Sequence, residues 1–195
     1  VQEVRQLLHR RVPQEGPLGG IDARPHTETA PEMWLLASSQ DSAAIAAHLG
    51  LPRSWAHFIN PLGAGLCRAY AEQFSPSFLH AEPALSVGVS VLCADTQEEA
   101  DELATSLRQW RASGLRGPIP APGEAAGAPD PLRVLPPHQA QKPIIAGPPD
   151  VVRAALDEVA ETYDADELLV VSICFDHAAR VRSYELLAEA FALSA

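Results

Sequence analysis

A single lysine, Lys142, stands against thirteen arginines in this chain, and aromatic residues make up only 6% of it. Basic residues are outnumbered by 25 acidic ones, for a formal charge of −11. So acidic a balance excludes partners that demand a basic face, nucleic acid and anionic membrane surfaces alike. The lysine shortage, set beside abundant alanine and proline, reads as codon bias in a GC-rich genome. Cysteine is scarce too. Cys67, Cys93 and Cys174 lie far apart in apolar or helical surroundings, which excludes a disulfide framework and fits small buried hydrophobes in a reducing cytosol. No apolar run approaches the ~20 residues of a membrane span, and no signal-peptide pattern opens the chain, so a soluble cytoplasmic protein is expected. None of the seven histidines has HxxxH or another metal-ligand spacing, and no metal site is expected. A G-x-S-x-G nucleophile turn is missing, and Gly63-Ala64-Gly65 lacks the residues that a dinucleotide turn requires.

What is present is one good core's worth of apolar residues, 47% of 195. Val1–Arg10 already has helical periodicity, through Val1, Val4, Leu7 and Leu8, so the sequence is read as beginning partway along a helix. A polar connection from Val12 to Pro31 follows. Met33–Ala37 reads as a strand and Ser38–Gly50 as a helix that Gly50 and Pro52 terminate. Trp55–Ile59 is the next strand, with Leu62–Phe74 as its helix. Leu85–Ala94 is a longer strand, leading into a helix from Thr96 to about Trp110 with Thr96 as N-cap and Glu98 and Glu99 in the first turn. Residues 111–149 break this rhythm. Ten of the eighteen prolines fall between Pro118 and Pro149, and no regular element is expected there. The alternation resumes with a helix over Pro149–Tyr163, a strand over Glu167–Phe175 and a helix over His177–Leu193.

Four strand–helix repeats imply an α/β fold with a parallel sheet and right-handed crossovers. Periodicity leaves two arrangements open, a small open sheet or half of an eightfold barrel. The closing unit is the most informative. Leu168–Phe175 is apolar almost without interruption, as befits a parallel strand buried on both faces. Asp176 stands where an N-cap belongs, with Leu186, Leu187 and Phe191 following at helical spacing. His177 and Arg180 beside it serve packing and solvation, or a ligand if this end is a barrel mouth.

The segment MWLLASSQDSAAIAAHLGLP, residues 33–52, is the first candidate for chemistry. A strand ends there and a helix starts with Ser38, Ser39 and Ser42 around its opening turn. Free N–H groups, the positive end of the helix dipole and hydroxyl donors make such a turn an anion site. The bland alternative is that Ser38 or Ser39 simply caps the helix.

Taken in order, WLLASSQDSAAIAAHLGLP, WAHFINP (55–61), LSVGVSVLCADTQEEA (85–100), AGPPDVVRAAL (146–156) and ADELLVV followed by FDHAARVRSYELLAEA resemble the last four βα units of the bacterial luciferase-like flavin monooxygenases. The resemblance implies the second half of a (β/α)8 TIM barrel, four parallel strands with flanking helices, in one domain over residues 1–195 with a Pro-rich insertion at 111–149. It implies FMN, in reduced form, as cofactor, with a deazaflavin as the alternative. By the match Ser39 and Ser42 take the phosphate-contacting positions, Ser38 contributes at the strand tip, and Leu36 lies against the flavin ring. His57 falls at a position lining the isoalloxazine or substrate cavity, though it also reads as a core histidine. Ser90 stands where asparagine is expected. The Pro-rich insertion falls where the family carries a mobile lid that excludes water.

The implied activity is oxidation of a small organic substrate by dioxygen, with a separate flavin reductase as partner and homo-oligomerisation left open. The matched segments lack the family's first four strands, which supply a reactive histidine, further phosphate contacts and much of the ring pocket. Catalytic residues are therefore unassigned, and the chain is expected to be a carboxyl-terminal piece of a longer enzyme. Two other functions stay in play: a deazaflavin-dependent oxidoreductase on the same barrel, and a non-catalytic flavin-binding or interaction protein.

Overall fold

The structure, a computed structural model, describes residues 1–12, 15–123 and 143–193. Eleven elements alternate along the described chain, one strand more than the sequence led us to expect. They are α1 (Gln2–Leu8), β1 (Leu35–Ala37), α2 (Gln40–Leu49), β2 (Arg53–Ala56), α3 (Ala64–Glu72) and β3 (Leu85–Cys93). Then come α4 (Gln97–Ala112), β4 (Ile145–Gly147), α5 (Pro149–Tyr163), β5 (Glu167–Val171) and α6 (His177–Ala190). All strands are parallel, and β3 is the hub. Its residues Leu85–Gly88 pair with β2, Ser86–Ser90 pair with β5 on the opposite flank, and Val91–Cys93 pair with β4. Strand β1 completes the sheet beyond β2, with Leu35 opposite Arg53 and Ala37 opposite Trp55.

Parity along the strands sorts the residues into two faces. Trp55, Val87, Val89, Val91, Leu168 and Val170 join Val152, Leu156, Tyr163, Leu186 and Leu187 of α5 and α6 in the main core. The other face carries Leu36, Ser54, Ala56, Ser86, Gly88, Ser90 and Leu169, mostly small or polar. A smaller core under α2 and α3 is built from Ala43, Ala46, Ala47 and Tyr70, with Leu35 and Phe74 packed against it. Tyr70 ties this layer together by donating to the carbonyls of Leu51 and Ala84.

The α/β class and the four expected strands are present, and three details differ. A fifth strand, β4, lies inside the Pro-rich stretch where no regular element was expected. Its three residues are too few for a periodic signal, and the free end of β3 recruits them, with Ala94 N–H donating to the Gly147 carbonyl. Strand β2 begins at Arg53 and ends at Ala56 rather than running from Trp55 to Ile59. The chain turns back at His57, whose N–H donates to Trp55, while Ile59 and Asn60 both donate to Ala56. The apolar run after Leu168 is not buried on both faces either. Leu168 and Val170 enter the core, Leu169 is 47% exposed, and the strand stops at Val171 because Ser172 N–H turns to the Tyr184 hydroxyl. Most of the expected lid, residues 124–142, lies outside the described residues.

Helix ends follow their local chemistry. Thr96 accepts from Glu99 N–H and Asp176 from Ala179 N–H, each as an N-cap. Gly50 ends α2 with φ of 60°, a left-handed geometry that favours glycine. Helix α1 is anchored by side chains more than by burial: Arg5, and Arg11 just beyond the helix, lie over the Phe78 ring, and Arg5 donates to the Leu49 carbonyl. No helix among the described residues is long and apolar enough to cross a membrane.

Gly63 is required by packing. A Cβ there would sit 1.9 Å from the Trp55 indole, which is fully buried. Gly63→Ala is expected to destabilise the fold by about 1–3 kcal/mol through overpacking. Urea denaturation measures this, and an unchanged midpoint would mean that the indole does not pack over the glycine.

Candidate functional site

Strand β1 delivers its chain to the start of α2 at Ser38 and Ser39, at the carboxyl end of the sheet, where parallel α/β folds collect their ligands. Ser39 is the N-cap, in extended conformation. Its hydroxyl lies 2.9 Å from that of Ser42 and 3.5 Å from the Ser42 N–H, and the Ser42 hydroxyl donates back to the Ser39 carbonyl at 2.8 Å. Capping is therefore long and weak, and the N–H groups of Gln40 and Asp41 take no partner among the described residues. The two hydroxyls converge beside these donors, with Asp41 exposed at the surface of the same turn.

The turn is held from behind. Arg53 Nη2 donates to the Ser39 carbonyl at 3.3 Å, and Asn60 Nδ2 donates to the Ser38 carbonyl at 3.4 Å. Both carbonyls are thus engaged from β2 and the loop that follows it. Neither residue was singled out from the sequence. The available signal for Arg53 was a charge placed between Pro52 and an apolar strand, a position where burial demands partners.

Leu36 projects from the opposite face of β1 to Leu35 and is 65% exposed, an open apolar surface one residue before Ala37 and the turn. Ser38, Ser39 and Ser42 are brought together with it at one strand end. His57 is not. It shares parity with Arg53 and Trp55, and its ring packs edge-on against Tyr163 with centroids 5.7 Å apart, in the layer between sheet and helices. No hydrogen bond or ring contact joins it to the serine turn among the described residues. The contact with Tyr163 matches the core-histidine reading of His57 that the sequence left open beside the cavity-lining one. Burial holds its pKa below the ordinary histidine value.

The remaining candidates have plain structural duties. Ser90 is buried and accepts from Arg111 Nη2. Asp176 caps α6, while His177 and Arg180 bond each other at the surface. Arg182 grips Asp95 through two hydrogen bonds, tying α6 to the end of β3 and holding the Asp95 carboxyl below its usual range. Burial pushes the Cys67 and Cys93 thiols up to about 11, far from nucleophilic poise.

Residues 1–166 match the sequence profile of the luciferase-like monooxygenases. The chain belongs to that family. It is 35% identical over 198 residues to the uncharacterized protein YceB of Bacillus subtilis (strain 168), an alignment covering 98% of this chain and 59% of the relative. It superposes on the crystal structure of apo-MsnO8 with a TM-score of 0.76 at 34% identity, over 90% of this chain and 55% of that one. It also shares its fold with a type II Baeyer–Villiger monooxygenase in complex with FMN, the oxygenating constituent of 3,6-diketocamphane monooxygenase from Pseudomonas putida. There the TM-score is 0.53 at 21% identity, over 82% of this chain and 48% of the other. The chain spans little more than half the length of the family members it matches.

The position of His57 has a measurable consequence. Its pKa in the fold lies below that of the unfolded chain, which takes up a proton as pH falls through about 6.5. Stability is unaffected by this group above that value and declines as pH drops below it, because the unfolded state then binds more protons. His57→Leu is expected to flatten the loss of stability as pH falls below about 6.5 in denaturant titrations. An identical slope in both proteins would place the ring in solvent.

Proposed function

We propose that the protein carrying this chain is a flavin-dependent monooxygenase of the luciferase type, and that the serine turn holds the phosphate of FMN. The observation that carries this reading is the arrangement at the start of α2. Two hydroxyls and two backbone N–H groups without a partner among the described residues lie at the positive end of the helix, and the Ser38 and Ser39 carbonyls that lead into it are engaged from behind. A phosphate fits that donor set better than a neutral group would, since each donor gains from a charged acceptor. Ser39 and Ser42 supply the hydroxyl contacts, Ser38 contributes at the strand tip, and Leu36 offers its exposed side chain to the flavin ring. His57 stays in the wall behind them. Reduced FMN, once bound, supplies the oxygen-activating chemistry, and the chain's part is to anchor and orient it.

Dioxygen and a small organic molecule are the proposed substrates, with reduced flavin delivered by a separate reductase. Family membership and the FMN-bound neighbour of the same fold support this reading. The rival is a deazaflavin in the same barrel, which would transfer hydride without oxygen.

Two outcomes follow. Replacing Ser39 and Ser42 together with alanine removes two charge-assisted hydrogen bonds of about 1 kcal/mol or more each, so FMN affinity is expected to fall roughly 30-fold while riboflavin affinity holds. Fluorescence titration of both flavins measures this, and unchanged FMN affinity would remove the phosphate assignment. Turnover in the protein is expected to stop under strict anaerobiosis. Product formation without oxygen would instead establish the hydride-transfer rival.

A further inference from the structure

Arg53 is a charge in an expensive place. Its side chain is fully buried, on the helix-facing side of β2, between the starts of α2 and α3. Two of its nitrogens donate to backbone carbonyls, Nη1 to Leu66 at 3.4 Å and Nη2 to Ser39 at 3.3 Å, while Nε has no partner among the described residues. The guanidinium stacks over the Trp55 ring at 4.7 Å and lies 5.9 Å from that of Tyr70. No carboxylate forms an ion pair with it among the described residues. Burial pulls its pKa down from the ordinary arginine value, the direction expected when a cation is stripped of water without a counter-charge. Removing a cation from water in this way is costly unless something compensates it. Strand packing alone would be better served by an apolar side chain of similar volume.

What the guanidinium does touch is the serine turn, from behind. Its hydrogen bond to the Ser39 carbonyl fixes the peptide whose residue caps α2, and Asn60 fixes the preceding carbonyl in the same way. Polarised from the rear, the peptides that follow the Ser38 and Ser39 carbonyls present their N–H groups toward the opposite side, and the buried positive charge lies behind them in a low-dielectric layer. An anion held on the turn would supply the counter-charge that no described carboxylate provides.

We infer that Arg53, assisted by Asn60, is a positioning residue that tunes the serine turn for a dianionic phosphate ester and so makes this site discriminate a phosphorylated flavin from an unphosphorylated one. Arg53 acts through Ser39 and does not touch the ligand. The inference rests on the phosphate reading of the turn and adds to it a source of selectivity lying outside the turn itself.

The test is a pair of equilibrium titrations, FMN and riboflavin, on the protein and on Arg53→Met, Arg53→Lys and Asn60→Asp. Met keeps the bulk of the arginine stem without its charge. Lys keeps charge without the planar fork, and Asp keeps the acceptor that takes the Leu62 N–H while losing the donor to Ser38. For Arg53→Met the expected result is about a tenfold or greater loss of FMN affinity with riboflavin affinity within about twofold. Arg53→Lys should recover part of that loss, and Asn60→Asp should also weaken FMN selectively. If Arg53→Met does not fold, the lysine and aspartate variants decide the matter by the same ratio. Equal losses for the two flavins, or an unchanged FMN-to-riboflavin ratio in every folded variant, would reduce Arg53 to a packing residue and overturn the inference. A wild-type protein that binds the two flavins alike would overturn the phosphate reading first, whereas a wild type that prefers FMN with variants that keep the preference would overturn only the role of Arg53.

Discussion

Strand β3 shares its hydrogen-bonding edges with three other strands, and everything else in the structure is arranged around that fact. All nine of its residues are buried. One flank is taken by β2, the other by β5, and the last three residues by β4. A parallel strand in that position cannot turn toward water, so both of its faces need cover or small side chains. Its valines at 87, 89 and 91 supply the helix-facing core, while Ser86, Gly88 and Ser90 keep the other face shallow. The strands that flank β3 thereby acquire a fixed register, and with register comes the placement of every side chain at their ends.

The serine turn inherits its position from this chain of constraints. Leu35 is paired with Arg53, and Arg53 in turn with Leu85 of the hub strand. Register therefore places the guanidinium where it reaches the Ser39 carbonyl, and the turn after β2 places Asn60 where it reaches Ser38. The candidate site thus depends less on three serines than on β2 and the loop after it, which hold the carbonyls of Ser38 and Ser39. Gly63 contributes in the same indirect way. Its missing Cβ lets Trp55 seat against the loop, and the indole N–H then donates to the Asn60 carbonyl, which steadies the residue that reaches the turn.

Individual elements show how far the sequence could be read. Thr96 and Asp176 were legible as N-caps because capping is settled within four residues of chain. Gly50 was legible as a helix stop for the same reason. The end of β2 was misplaced, since Trp55–Ile59 has the composition of a strand and only the fold around Gly63 turns it back at His57. Strand β4 was invisible because a three-residue strand carries no period and exists only through its pairing with β3. In the candidate site, the serines stood out by their place in the strand-to-helix pattern, and Leu36 was named only through the family resemblance. Arg53 and Asn60 were missed because their partners lie 14 and 22 residues away in the chain.

The sequence by itself determined the alternation of strand and helix, the parallel α/β class, the capped helix starts and the cluster of hydroxyls at the head of α2. These are matters of local periodicity and short-range hydrogen bonding, which neighbouring residues decide among themselves. Only the tertiary structure decided which face each strand residue took, that His57 belongs to the wall beside Tyr163, and that a buried arginine stands behind the serine turn. Those outcomes depend on strand register and on contacts between distant segments, and no local pattern encodes them.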